Sequence, residues 1–195
     1  MADMEFYRKP DQARLLDPKE GFTEKAMGFE VRKDPRLATT EEDFARQFAL
    51  LAGIRDRLTA THDGITRLRA VRDQARAAAS RAKGTEAEKS IGDAAEALAR
   101  TLTQIEEALY QTKSRSSQDP LNYPIRLNNK LAALASTVAS ADAAPTEQAS
   151  AVDRELSSLI EAELAKLEKA LAEDVPAFNS LVREREVPAV RLPKP

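Results

Sequence analysis

The sequence contains no cysteine, no tryptophan, one histidine, six glycines and only 5% aromatic residues. Without cysteine there is neither a disulfide framework nor thiolate chemistry. One histidine cannot make a histidine-based metal site, and no cysteine is present to complete one. The shortage of aromatics and glycine argues against a β-sandwich or an α/β enzyme and for long amphipathic helices. No run approaches the roughly 18 consecutive apolar residues that span a bilayer. The N-terminal stretch "MADMEFYRKPDQARLLDPKEG" has no apolar core of the secretory type, so the chain as written reads as cytoplasmic. Processing of the N-terminus would leave a periplasmic or secreted location open.

Charged residues are abundant, at 32% of 195 residues. They nearly cancel: 30 Lys and Arg against 32 Asp and Glu. That balance gives no global reason to expect nucleic acid or anionic lipid as a partner.

Residues 1–38 read as an extended arm. Pro10, Pro18 and Pro35 break any long helix. Phe6, Tyr7, Phe22 and Phe29 are its candidate contacts, and "GFEVRK" has the alternation of one short strand. Residues 39–185 read as a helical bundle, and 186–195 as a proline-rich C-terminal arm.

Within the bundle, the pattern predicts an all-α, antiparallel up-down arrangement of about four helices, near 40–82, 86–115, 123–142 and 147–174. In the first, Phe44, Leu51, Leu58 and Ile65 interleave with Ile54, Thr61, Leu68 and Ala75 at intervals of seven, a bundle seam. Thr39 or Thr40 can cap it, and Gly84 stops it. Thr85 and Glu88 have capping-box spacing before a second seam, Ile91, Ala95, Leu98, Leu102, Ile105 and Leu109. The third helix places Leu127, Leu131, Leu134 and Val138 on one face. Thr146 caps the fourth, which carries Val152, Leu156, Leu159, Ile160, Leu164, Leu167 and Leu171. Pro176 is expected to break it before a last turn or two at Phe178, Leu181 and Val182. The basic second half of the first helix (Arg67, Arg69, Arg72, Arg76, Arg81) and the acid-rich fourth would pair if they faced each other in an antiparallel bundle. Gly64, mid-helix, marks a close helix crossing or a hinge.

No catalytic constellation is legible. His62 and Asp63 are adjacent and so point apart on a helix. The carboxylates read as surface partners of Lys and Arg, with no isolated pair in an apolar setting to serve as a general acid. "KGTEAEKS" lacks the spacing of a phosphate loop. The arginines from 67 to 76 can grip phosphates, but no aromatic residue interleaves with them as nucleic-acid binding needs. No cofactor is expected.

The exception to the helical rhythm is "DPLNYPIRLNNKLAAL", residues 119–134. As a joint, Asp119 or Asn122 caps a helix, Pro124 enters its first turn, Tyr123 seals the bundle end, and Asn128 and Asn129 satisfy loose backbone groups at a chain reversal. As a site, Tyr123, Asn128 and Asn129 present a ligand-binding edge.

The same stretch resembles the C-terminal helical region of bacterial BNR/Asp-box (sortilin- or sialidase-like) β-propeller proteins labelled glycosyl hydrolase. Two further stretches agree: "FEVRKDPRLATTEEDFARQFALLAGIRDRLTATHDGITRLRAVRDQ" and "DVPAFNSLV". The resemblance spans roughly residues 29–190. The propeller and its Asp-box repeats are not in this sequence, and no catalytic residue of that family falls on it. What the resemblance implies is an accessory helical domain. The leading expectation is therefore a non-catalytic interaction protein that docks on a larger protein or assembly through its arms or bundle surface. Its partner is another protein, neither nucleic acid nor a membrane span, with self-association possible. The alternative is a carbohydrate-active accessory domain or subunit, binding glycan near Tyr123 and Asn128.

Overall fold

The computed structural model describes residues 14–17, 21–24, 32–116 and 118–187. The chain separates into two units, Met1–Ala38 and Thr39–Pro195. In the first, strands β1 (Arg14–Asp17) and β2 (Gly21–Glu24) pair antiparallel, with Leu16 opposite Phe22. The extended arm thus includes a two-stranded ladder at a place where no strand was expected. The expected strand at Phe29 and Val31 lies outside the described residues, as do Phe6, Tyr7 and residues 188–195. Further on, Asp34 accepts from the Arg36 guanidinium and, secondly, from its backbone N–H, which lowers its carboxyl pKa.

The second unit is an all-α antiparallel bundle of α1 (Glu41–Ala82), α2 (Glu88–Leu109), α3 (Leu127–Val138), α4 (Glu147–Ala172) and α5 (Asp174–Glu184). Thr40 caps α1 in a reciprocal box with Asp43. The Asp43 carboxyl is held down to about 2, first by the Thr40 backbone N–H, then by the Thr40 hydroxyl and Arg46. Lys83 ends α1 and Gly84 turns the chain at φ 75, where a side chain would be strained. The expected Thr85–Glu88 box takes another form. Thr85 bonds Ala82 and Ala87 within the turn, and the Glu88 carboxylate accepts from the Gly84 N–H at 2.7 Å. Thr146 caps α4 as expected.

The helices form three columns. Arg69 and Arg72 on α1 meet Glu106 and Thr103 on α2, so these helices are antiparallel. Gln47 near the start of α1 meets the end of α3, and His62 meets its beginning, so α3 is antiparallel to α1 as well. Consequently α2 and α3 run in the same direction, α2 along the C-terminal half of α1 and α3 along the N-terminal half. The connection between them is not the chain reversal that its composition implied. Arg57 pairs with Asp153 and Arg67 with Glu168, so α4 runs parallel to α1. Of the basic residues expected to meet α4, Arg67 alone does so among the described residues, on Glu168, and it does so in a parallel arrangement. Arg69 and Arg72 turn instead to α2. At 42 residues, α1 is about 63 Å long, the full height of the bundle.

The seam residues of α1 and α2 fill the core as read, with Ile54, Leu68, Ile91, Leu102 and Leu109 fully buried. Phe44, Leu51 and Leu58 are half-buried. On α4, Leu156, Ile160 and Leu167 are buried, but Val152 and Leu159 are exposed. They lie on the edge of the stripe in the half of α4 that precedes its contact with α2. Gly64 sits at the α1–α4 crossing, where a Cβ would lie 2.8 Å from Leu164 Cδ2. The glycine therefore serves close approach. Beyond Ala172, α5 makes three turns rather than one or two, burying Phe178 against the core.

Candidate functional site

Helix α2 ends at Leu109, six residues before the end expected from its sequence. From Leu109 to Leu127 no apolar side chain continues the seam, so nothing offsets the cost of ordering more helix there. The chain leaves the column as a loop, residues 110–126, and re-enters at α3. Its two ends are tied: Gln111 Nε2 donates to the Pro124 carbonyl at 2.8 Å. Inside, Asp119 is the organiser. Its carboxylate accepts from the Arg115 and Ser116 backbone N–H groups and from the Ser116 hydroxyl, which lowers its pKa. The Asp119 carbonyl in turn accepts from Asn122 and Tyr123, closing a short 3-10 turn at Asp119–Leu121. Ends held together over a compact excursion define an Ω-loop, a common carrier of function.

Several roles expected for this stretch change. Asp119 caps the loop's own turn rather than a helix. Asn122 and Asn129 are exposed and neither side chain caps a helix among the described residues; Asn122 closes the 3-10 turn with its backbone N–H alone. Arg126 holds the N-cap position of α3 without a side-chain bond, and Pro124 lies ahead of the helix. Tyr123 is 39% exposed and does not seal the bundle. The reason is shared: with no reversal here, no bundle end exists for these residues to close. Asn128 alone goes inside. It is buried, with Nδ2 3.5 Å from His62 Nε2 and Oδ1 without a partner. His62 is itself exposed. The structure does not bring Tyr123, Asn128 and Asn129 together on one edge, since Asn128 points into the core and the other two are exposed. Phe22 falls in β2.

Seven large apolar side chains of the described residues are exposed, and four of them (Tyr110, Leu121, Tyr123 and Ile125) belong to this one loop. Leu121 is 89% exposed.

Beside the foot of the loop lies a groove of about 550 Å³, lined by Arg69, Arg72, Arg76, Arg115, Glu106 and Tyr110 together with hydroxyl side chains. Glu106 is its floor. This carboxylate is almost completely buried and accepts from Arg69 Nε at 2.6 Å and Arg72 Nη1 at 2.5 Å. Arg72 also donates to Thr103, and its Nε is buried without a partner. The Arg69 guanidinium stands 5.4 Å from the centre of the Tyr110 ring, a cation–π distance.

Sequence reading missed Glu106, treating the carboxylates as surface groups. A signal existed. Arg72 stands seven residues after Ile65 and Gln47 seven before Ile54, so both occupy seam registers. A polar residue at a core register demands a buried partner. For Arg72 that partner is Glu106. For Gln47 it is the end of α3, whose Val138 and Ala141 carbonyls accept from its amide at 2.8 and 2.6 Å.

No group of three or more His, Asp or Glu among the described residues is arranged to hold a metal ion. No described helix is long and apolar enough to cross a membrane. Fold and surface together define a class: an all-α antiparallel bundle that carries one tethered, apolar-tipped loop above an arginine-lined groove. No family model, no curated protein and no solved structure matches the chain.

Proposed function

We propose that this chain is a non-catalytic helical-bundle interaction protein that docks on a larger protein or assembly through the 110–126 loop. The observation that carries the reading is Leu121, almost wholly exposed at the tip of a loop whose backbone is fastened from both ends and from within. An apolar side chain held in water on an ordered loop is preorganised, so a partner that covers it pays little ordering entropy. Tyr110, Tyr123 and Ile125 give such a partner further apolar and aromatic area, the composition favoured at interface centres.

Three carboxylates, Asp34, Asp43 and Asp119, are held below their usual range mainly by hydrogen bonds within caps and turns, which is a structural use. The resemblance of residues 29–190 to the helical region of BNR/Asp-box propeller proteins favours an accessory role.

The test is site-specific photocrosslinking. A benzophenone side chain replaces Leu121, or, as a control, Glu107 on the exposed face of α2. Each variant is illuminated in an extract of the native source. A discrete protein adduct from position 121 alone is the expected result. Equal or absent adducts at both positions would remove the loop as the docking surface.

A further inference from the structure

The groove at the foot of the loop contains four arginines against one carboxylate, a surplus of three positive charges in one concavity. Its basic side chains are all arginine, with no lysine among them. Arginine presents a planar fork that matches a carboxylate with two parallel hydrogen bonds. In the groove the Glu106 carboxylate takes one bond from Arg69 on one oxygen and one from Arg72 on the other, which leaves the forks of both only partly used. The remaining capacity lies at the rim. The Arg76 ion contact, to Asp73, is 3.8 Å long and both side chains are well exposed. The Arg115 guanidinium makes no ion pair among the described residues, and its backbone N–H is spent on Asp119. Tyr110, at the start of the loop, lines this groove together with Arg115 further along it.

We infer that the groove receives an acidic segment of the protein partner, with Arg76 and Arg115 taking its carboxylates while the apolar loop side chains take neighbouring apolar residues. The inference deepens the docking reading and rests on it. Charge complementarity selects the occupant. A neutral segment would exclude water from Arg115 and the loosely paired Arg76 without compensating their charge, whereas Asp or Glu side chains neutralise them where the dielectric falls. Glu106 keeps the two inner arginines fixed before the partner arrives, and the rim arginines stay free to meet it.

The experiment is fluorescence anisotropy with the full chain and a labelled peptide rich in Glu and Leu. Probes for comparison are a Lys/Leu peptide of equal length, tripolyphosphate and a single-stranded oligonucleotide. Variants are Arg76→Ser/Arg115→Ser, both at exposed positions, and Leu121→Ser, with circular dichroism confirming the fold of each. The expected result is saturable binding of the Glu/Leu peptide, weakened by salt and reduced roughly tenfold or more in the double arginine variant. The Lys/Leu peptide is expected not to bind. Unchanged affinity in the double variant would overturn the inference, as would tighter binding of tripolyphosphate or the oligonucleotide, which would make the groove a phosphate site. If the wild type ignores the acidic peptide while position 121 still crosslinks a partner, the groove inference falls and the loop reading stands. If Leu121→Ser binds the peptide like wild type and position 121 captures nothing, the loop reading falls, and the inference falls with it.

Discussion

Replacing Glu106 by alanine removes the one carboxylate that both Arg69 and Arg72 hold. The consequences for the two arginines differ. Arg69 is 45% exposed and can return to water, whereas Arg72 is 14% exposed and its Nε already lacks a partner. In the variant, Arg72 would keep a desolvated cation with only the Thr103 hydroxyl to receive it. Breaking a buried pair from one side costs about 3–5 kcal/mol. With Arg69 free to resolvate and Arg72 not fully enclosed, the expected loss is about 3 kcal/mol, near the lower end of that range. For a domain of this size that corresponds to a fall in Tm of roughly 6–12 °C. Glu106→Gln keeps the shape and one acceptor oxygen, and its expected cost is about 1–2 kcal/mol. Combining Glu106→Leu with Arg72→Met removes the buried pair, leaves only the half-exposed Arg69 to return to water, and is expected to restore stability to within about 1 kcal/mol of wild type. Thermal and urea denaturation of the three variants measure this series. A Tm for Glu106→Ala within about 2 °C of wild type would refute the reasoning, because Arg72 would then not depend on that carboxylate.

Gly64→Ala gains about 1 kcal/mol of helix propensity but forces a methyl against the Cδ2 ends of Leu164 and Leu167, at a cost of about 1–3 kcal/mol, so a change between neutral and a loss of about 2 kcal/mol is expected. A raised Tm would show that the α1–α4 crossing has slack. Asn128→Leu replaces a buried amide that has one long contact and an unpartnered oxygen, and unchanged or higher stability is expected in urea titration. A marked loss would assign Asn128 a role its hydrogen bonds do not reveal. The Asp43 carboxyl is depressed from 3.8 to about 2 in the folded state, so the stability it confers is complete above pH 3.8 and lost as pH falls towards 2. The Tm gap between wild type and Asp43→Ala should therefore close over that window, and a gap independent of pH would contradict the cap's ionic character.

Much of the bundle was legible because heptad spacing reports burial directly. Ile91 through Leu109 keep a strict alternation, and each is buried. Period alone does not say which neighbours exist. Val152 and Leu159 continue the α4 stripe, yet that part of the helix has no column against their edge, so they remain in water. The direction of α3 was illegible for a related reason. Proline, asparagine and aspartate announce that a helix stops, but whether the chain then returns to its column or turns back depends on contacts far away in sequence. Here His62 meets Asn128 seven residues before Arg69, which meets Glu106 near the end of α2. At the candidate site, the loop's exceptional composition drew notice to Tyr123, while the apolar tip at Leu121 and the Glu106 floor did not stand out. Glu106 lies one residue beside the seam residue Ile105, and only the arginine at a core register across the interface betrays it.

The most direct test of the docking account is amide hydrogen exchange on the full chain, alone and bound to the protein captured by crosslinking at position 121. Residues 110–126 and the adjoining turns of α1 that carry Arg69, Arg72 and Arg76 should slow on binding, with α3, α4 and α5 unchanged. Protection confined to other helices, with the loop exchanging as fast as in the free chain, would contradict it.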